Sequence, residues 1–430
     1  MPAKNSLKTL VVSSAVLSLG GLSSAMASNG FSDDVVRIGV LTDMSGIYTD
    51  LSGEAAVEAV RMAVEDFGGE VGGVPIEVIH GDHRNRADTG ASRAREWYDN
   101  DGVDMINDLS NSGVALAVAA VADERQRHAI SNSASNIGLT NDYCSPYVTH
   151  YTYDAYSLAQ GTGKTIVEDG GDTWFFLTVD FAFGIGLEEQ VSEVVREAGG
   201  QVVGAARHPL DTTDFSSYAL QAQASGAEII GIASTGADAI NAINALAEFG
   251  VSPDQRPAAL LLWYDDIVSL GLDTAQGLML TNAFYWDAND ETREFSQRFY
   301  ERTGRMPNMA HAGNYSSTMH YLNAVEAAGS DDPDAVSEKM RELEINDFFA
   351  SGGYIRPNGR MVHDQYLWEV KSPDESEYDY DFLRLVNTIP GEEAFQPLEK
   401  STCHLLNGNG CPAIRARPWP GTSLHSSLAL

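Results

Sequence analysis

Short apolar runs alternate with longer segments that carry one apolar face, from residue 35 onwards. Residues 35–41, 76–80, 103–106 and 128–130 are such runs, and they predict buried strands. Alanine and valine recur at helical spacing in the segments between them, which predicts a helix after each of the first three strands. This alternation is typical of an α/β domain built around a parallel sheet.

The same alternation starts again after Tyr153 and predicts a second parallel sheet. Its strands are predicted at residues 173–177, 201–205, 228–232 and 258–263, and its helices at residues 159–168, 186–198, 218–224 and 237–249. The connections between parallel strands are expected to be right-handed.

After residue 280 the pattern changes to a strand followed by long helices. The elements predicted there are a strand at residues 278–284, helices at 292–303, 315–328 and 334–343, a turn with a strand within 359–370, and a polar loop at 371–381. Residues 412–430 contain three prolines and no periodicity, so we expect this tail to be loosely ordered.

The N-terminus has the composition of a secretory signal peptide at residues 1–27. Lys4 and Lys8 precede an apolar stretch at residues 10–22, and Ala25-Met26-Ala27 supplies the small residues expected before cleavage at Ser28. A membrane anchor is the alternative, but the stretch is short and rich in serine and glycine. We therefore expect an exported, periplasmic protein whose 403 remaining residues suffice for two domains.

Charge excludes two classes of partner. The chain has 61 acidic and 27 basic residues, a net charge of −34, with the acids spread along its length. Such a surface repels nucleic acid and anionic lipid. We interpret the excess as adaptation to salty surroundings, where screening relieves the self-repulsion.

Three cysteines occur, Cys144, Cys403 and Cys411, and an oxidising compartment favours one disulfide among them. Pairing of Cys144 with Cys403 is the preferred prediction because it would attach the C-terminal segment to the body. Pairing of Cys403 with Cys411 is the local alternative. No cysteine or histidine spacing predicts a metal site, and no cofactor is expected.

Five short motifs follow one another along the chain. They are Ile38-Gly39-Val40-Leu41-Thr42-Asp43-Met44-Ser45-Gly46-Ile47-Tyr48, Leu109-Ser110-Asn111-Ser112, Ile130-Ser131-Asn132-Ser133-Ala134-Ser135, Asp180-Phe181-Ala182-Phe183-Gly184, and the start of a long helix at residues 307–315. In this order and spacing, over about residues 35–398, the chain resembles the branched-chain amino acid binding family of type I periplasmic binding proteins, which serve ABC importers.

The resemblance implies two Rossmann-like lobes that are joined by three crossing strands and close on a ligand by hinge motion. The first lobe would comprise residues 35–151 and 285–356, and the second residues 152–284 and 357–398, followed by a C-terminal segment at residues 399–430. It also implies a monomer that binds a small molecule and docks on an ABC permease. A periplasmic sensor that reports to a signalling partner is the alternative.

Ligands of open parallel sheets bind beyond the carboxyl ends of the strands, where the following helices begin with their positive ends. Serine and asparagine in those loops suit a carboxylate, although they also serve as helix caps. The candidates are Ser110, Asn111, Ser112, Ser133, Ala134 and Ser135. The resemblance places the family's carboxylate contacts in the same loops.

Asp238 is the nearest match to the acidic residue with which the family holds a ligand's ammonium group. If no acid reaches the cleft, the ligand need not carry an amine. Aromatic candidates at strand ends and crossings are Tyr48, Tyr153, Phe181, Phe183, Tyr264 and Tyr285. A cleft lined by rings favours a flat apolar body, so an aromatic or other apolar carboxylate is the specific hypothesis.

Catalysis is not predicted. Gly161-Thr162-Gly163-Lys164-Thr165 imitates the end of a phosphate-binding loop, but the required first glycine is Leu158. No Gly-x-Ser-x-Gly nucleophile elbow occurs, which argues against an exported hydrolase of that kind.

Overall fold

The computed structural model describes Met1 and residues 30–249 and 255–407. The predicted signal peptide beyond Met1, Cys411 and the predicted loose tail at residues 412–430 lie outside the described residues. Within these ranges, no helix combines the length and the apolar character that crossing a bilayer requires.

The first sheet is built by alternating strands and helices, as the apolar pattern predicts. Its elements in chain order are β1 (Val36–Thr42), α1 (Gly53–Phe67), β2 (Glu70–Val71), β3 (Val74–Asp82), α2 (Ala87–Asp99), β4 (Met105–Asp108), α3 (Ser112–Arg125), β5 (His128–Ser131) and β6 (Val148–His150). The strand order is β2-β3-β1-β4-β5-β6, and only the β2–β3 pair is antiparallel. Val40 and Leu41 enter separate core clusters, which explains why β1 reads as one continuous apolar run.

The second sheet repeats this construction. Its elements are α4 (Ala155–Leu158), α5 (Lys164–Glu168), β7 (Thr173–Val179), α6 (Ala182–Glu197), β8 (Gln201–His208), α7 (Ser216–Ser225), β9 (Ile229–Ala233), α8 (Ala237–Glu248), β10 (Arg256–Ala259), α9 (Tyr264–Leu270) and α10 (Leu272–Ala275). All of its strands are parallel, in the order β10-β9-β7-β8. A π-helical turn at Ala159–Gly163 joins α4 to α5.

The last part of the chain returns to the first sheet and then crosses back. Its elements are β11 (Met279–Asn282), α11 (Asp290–Thr303), α12 (Met309–Ala328), α13 (Pro333–Glu342), β12 (Tyr354–Ile355), β13 (Met361–Val362), β14 (Gln365–Val370), β15 (Leu383–Ile389) and α14 (Gly391–Ala394). Helices α11 and α12 pack on α1, whereas β11, β14 and β15 form an antiparallel sheet.

Three of the differences between the predicted and the observed elements have a clear physical reason. The strand predicted at residues 258–263 ends at Ala259, because the chain leaves the sheet to begin α9 at Tyr264. The helix predicted from residue 315 starts at Met309, where the side chain of Asn308 caps it by accepting from the Ala310 N–H at 2.9 Å. Strand β15 was not predicted, because most of its residues are exposed and no buried face marks it.

The buried Arg360 holds two of the chain's connections together. Its guanidinium donates to the carbonyl oxygens of Tyr151 and Tyr153, which lie between β6 and α4. It also lies 3.5 Å from the Asp154 carboxylate and 4.2 Å from the centre of the Phe395 ring. Arg360 itself lies between β12 and β13. It therefore joins this connection to the one between β6 and α4.

Cys144 and Cys403 form a disulfide, which confirms the preferred pairing. The bond joins residues 259 positions apart and holds the C-terminal segment against the loop before β6. Asn141 strengthens this attachment by accepting from the Thr402 N–H at 2.9 Å and donating to Gln396 at 2.9 Å.

Candidate ligand-binding site

The strand orders determine where a crevice forms. In the first sheet, β3 and β4 lie on opposite sides of β1, so the loops after β1 and β4 diverge and leave a crevice at their carboxyl ends. In the second sheet, β8 and β9 lie on opposite sides of β7, which places another crevice after β7 and β9. These two edges face each other across one cavity.

Twelve of the described residues line this cavity. Those from the first sheet and its loops are Tyr48, Leu51, Ser110, Asn111, Ser112 and Ser133, and Tyr153 comes from the first connection. Those from the second sheet and its loops are Phe181, Phe183, Thr235, Leu261 and Trp263. We call the two sets the first wall and the second wall.

The first wall is polar where α3 begins. Asn111 caps this helix by accepting from the N–H groups of Gly113 at 2.9 Å and Val114 at 3.1 Å, and Ser112 is its first residue. Asp108 and Leu109 turn the chain into the loop through positive φ angles of 82° and 62°. Such angles are unfavourable for these residue types, and strain of this kind gathers at functional sites.

Ser110 is oriented as a hydrogen-bond donor. Its Oγ accepts from the Asp43 N–H at 2.9 Å and lies 3.1 Å from His83 Nε2. His83 Nδ1 accepts from the Asn85 N–H, so the hydrogen of this ring resides on Nε2. Burial lowers the pKa of His83 and keeps it neutral. With both lone pairs used, the Ser110 hydroxyl can donate only to Thr42, at 3.2 Å, or to a ligand.

Ser133 has the opposite polarity because a buried carboxylate lies behind it. Asp108 accepts hydrogen bonds from the hydroxyls of Ser133 and Ser52 and from the Asn314 side chain at 2.9 Å. Since the Ser133 hydrogen is engaged there, this side chain presents a lone pair to the cavity. A carboxylate therefore fits beside Ser110 and Ser112 and not beside Ser133.

Rings dominate the second wall and the connection. The Tyr153 ring meets Trp263 edge to face with 5.5 Å between centroids, and Phe181 lies 5.9 Å from Phe183. The Tyr153 hydroxyl donates to the Ser133 carbonyl at 3.0 Å, which fixes the ring between the walls. None of the described residues that line the cavity is acidic or basic.

Contacts outside the cavity join the two sides. The Asn136 side chain donates to the Ala182 carbonyl at 3.0 Å, and the Asn308 side chain donates to the Asp265 carboxylate at 2.6 Å. Burial raises the pKa of Asp265 to about 6. The two sheets are thus held together at the rim, and the cleft is closed in this structure.

Five of the candidate residues lie outside the walls. The Asp238 carboxylate accepts from the N–H groups of Asp211 at 3.2 Å and Thr212 at 2.8 Å, and burial raises its pKa to about 6. Tyr264 and Tyr285 each donate to the Tyr380 carbonyl, at 2.8 and 3.2 Å. These contacts hold loops in place.

The other two lie just behind the first wall. The Ala134 carbonyl lies 2.8 Å from His150 Nε2. The Ser135 N–H donates to the Ser112 hydroxyl at 3.3 Å, so Ser135 helps to position a residue of the wall.

Sequence reasoning missed Leu51, Thr235, Leu261 and Trp263. Thr235 follows β9 directly, so the rule that placed the other candidates after strands also applies to it. Leu261 and Trp263 were hidden because their apolar run was interpreted as strand, whereas the strand ends at Ala259.

Only one group of three metal-binding side chains comes together among the described residues, and it consists of Cys144, Cys403 and His404. The two sulfur atoms are joined in the disulfide, so they are not free to act as thiolate ligands.

A cavity closed between the carboxyl edges of two parallel sheets, with three chain connections, defines a two-lobed solute-binding protein of type I. The family model described as periplasmic binding protein matches residues 35–376, and the chain belongs to this family. This confirms the resemblance and the fold class predicted from the sequence. The exact boundaries of the lobes stay a prediction.

Related proteins agree with this assignment. A periplasmic binding protein from Burkholderia mallei is 48% identical, with a TM-score of 0.85 over 86% of this chain and 99% of that one. A branched chain amino acid ABC transporter periplasmic ligand-binding protein from Burkholderia xenovorans LB400 is 38% identical, with a TM-score of 0.77 over 86% and 99%. Leu/Ile/Val-binding protein homolog 6 of Brucella melitensis is 23% identical over 82% of this chain and 92% of the relative.

Proposed function

We propose that this chain captures a small carboxylate with an aromatic or other apolar body in the periplasm and delivers it to an ABC permease. Binding occurs without catalysis. The observation that carries the proposal is the composition of the cavity, which has a polar helix start on one side, rings on the other and no charged side chain in either wall. The lining residues therefore match both ends of such a ligand, the carboxylate and the apolar body.

The carboxylate end is assigned to the start of α3. The positive end of this 14-residue helix favours an anion without a formal positive charge. Ser110 adds a hydroxyl that can only donate to a ligand, because its two lone pairs accept from the Asp43 backbone N–H and from His83 Nε2. Ser112 is the first residue of this helix, and its N–H is not among those that the Asn111 side chain caps.

The apolar end is assigned to the second wall and Tyr153. Phe181 and Phe183 cover one side of the cavity, and Trp263 packs edge to face on Tyr153. Apolar surface that enters this space leaves water, which contributes about 25 cal/mol per Å². A flat ring uses such walls better than a branched aliphatic chain does.

An amino acid ligand would place an ammonium group without a charged partner in the cavity. Asp238 does not line the walls, and its carboxylate is engaged by the Asp211 and Thr212 N–H groups. Desolvating an unpaired charge costs several kcal/mol. The amine-free acids are therefore favoured over leucine, isoleucine and valine.

Calorimetric titration of the mature chain, unfolded and refolded to remove bound solute, tests the proposal. We expect at least one benzoate-type acid to bind with a Kd of about 1 µM or tighter, equivalent to about 8 kcal/mol. Leucine, isoleucine and valine serve as the comparison set. Tight leucine binding with no response to any aromatic acid contradicts the proposal.

A further inference from the structure

Two polar groups of the second wall have no hydrogen-bond partner among the residues that the structure describes. The hydroxyl of Thr235 and the indole N–H of Trp263 are buried and unpaired, although both side chains line the cavity. Thr235 is 5% exposed and Trp263 is 1% exposed, so bulk water does not reach them freely. A buried polar group left unpaired costs about 1–3 kcal/mol, and most such groups in folded proteins are paired.

We propose that Thr235 and Trp263 form a second polar subsite that binds a hydroxyl group at the end of the ligand opposite its carboxylate. The solute would then be a hydroxylated aromatic acid. This inference rests on the proposed function, because it assumes that the carboxylate occupies the first wall.

The chemistry of the two groups selects a hydroxyl. An indole N–H can only donate, whereas a threonine hydroxyl can donate and accept. A phenolic hydroxyl matches both kinds of group, since its oxygen can accept from an indole N–H and its hydrogen can be donated to a threonine hydroxyl. A second carboxylate or an ammonium group would enter a wall that offers no opposite charge.

The indole of Trp263 is held in place independently of a ligand, and Thr235 lies at the end of a buried strand. Trp263 packs edge to face on Tyr153, and its backbone N–H donates to the Asp266 carboxylate at 3.0 Å. Thr235 follows β9, and Gly236 after it begins the turn into α8 with a φ of 60°. Fixed donors discriminate strongly against an analogue that lacks the matching group, because they then stay unpaired.

The test is calorimetric titration of benzoate, 4-hydroxybenzoate, 3-hydroxybenzoate and 4-methylbenzoate into the wild-type chain, Trp263→Phe and Thr235→Val. We expect the wild-type chain to bind one hydroxybenzoate at least about tenfold more tightly than benzoate and 4-methylbenzoate. Each variant should reduce this preference to less than about threefold, with the benzoate affinity of the same variant as the reference for the ratio.

Trp368→Phe is the matched control. Trp368 is also buried with an unpaired indole N–H, but it lies outside the cavity walls. Its variant should keep the full preference for the hydroxylated acid. Thermal melting of each variant shows whether it folds. If Trp263→Phe fails to fold, the test is made with Thr235→Val alone.

The outcomes separate the inference from the proposed function. Equal binding of benzoate and both hydroxybenzoates to the wild-type chain overturns the subsite and leaves the proposed function intact. A preference that persists in both variants overturns the subsite as well. Binding of leucine with no aromatic acid bound overturns the proposed function and the subsite together.

Discussion

The first and second walls of the cavity differ in how their polar side chains are hydrogen-bonded. In the first wall, Ser110 and Ser133 are engaged by partners behind them, so each has a fixed polarity before a ligand arrives. In the second wall, the hydroxyl of Thr235 and the indole of Trp263 have no partner. The first wall is thus complete by itself, whereas the second is completed by what binds.

This difference suggests an order of events. A ligand that meets preformed donors at the start of α3 gains most of its polar contacts from one side. Closure then depends on the contacts that the ligand makes with the second wall in the closed form. A ligand shifts the equilibrium between open and closed forms only by the difference in its affinity for the two. The predictions below alter a part outside both walls, then the first wall, the second wall and the rim.

Removal of the disulfide should have the largest effect on stability and almost none on binding. Replacing Cys144 and Cys403 together by serine opens a connection between residues 259 positions apart, and a loop of this length predicts a loss of about 5.5 kcal/mol. Neither residue lines the cavity. Urea unfolding should show the loss, while calorimetry should give a Kd within threefold of wild type; a large change in Kd would show that the walls depend on the bond.

Asp108→Ala should disrupt the first wall. It leaves Ser52, Ser133 and Asn314 without their common acceptor, and we expect the free energy of unfolding to fall by about 3 kcal/mol. The matched control is Asp374→Ala, in an exposed loop. An unchanged urea midpoint in the Asp108 variant would refute the role given to this carboxylate.

Phe181→Ala should weaken the second wall with little effect on folding, because this ring is only partly buried. Losing the burial of a ring against the ligand predicts about 2 kcal/mol, or roughly 30-fold weaker binding of an aromatic acid. Phe249→Ala, which removes an exposed ring elsewhere, is the control. Calorimetry that gives both variants the wild-type Kd would remove Phe181 from the site.

The rim predicts the smallest effect, which is a dependence on pH. Because the pKa of Asp265 is raised to about 6 in the closed form, protonation favours closure. This contribution is complete below about pH 4, the ordinary range of an aspartate, and is lost as the pH rises through about 6. Between pH 5 and pH 7 we expect affinity to fall by up to about tenfold.

Asp265→Asn provides the control for this dependence. It keeps an acceptor for the Asn308 side chain but cannot titrate in this range. The variant should show a flat profile in the same calorimetric series. An identical slope in the variant and the wild-type chain would assign the pH dependence to another group.

Sequence reasoning recovered the fold because the inner strands of both sheets, such as β1 and β9, are apolar runs buried on two faces. It failed where that signal is absent or misleading. Strand β15 has few buried residues, and the run at residues 258–263 continues as loop after Ala259 because its last residues line a cavity instead of a sheet.

For the site, the rule that ligands bind after parallel strands brought Ser110, Ser112 and Phe181 to one place. The rule cannot show which way a side chain turns. Asp238 follows β9 as expected, yet it is held by N–H groups of Asp211 and Thr212 in another loop, and no sequence pattern reveals that contact.

Arg360 has a mechanical consequence for the whole molecule. The Arg360 guanidinium donates to the Tyr151 and Tyr153 carbonyls, and these bonds join two of the three connections between the lobes. Bending either connection by itself would break hydrogen bonds of a buried guanidinium, so we expect these two connections to move together when the cleft opens. The connection after β11 is not part of this pair.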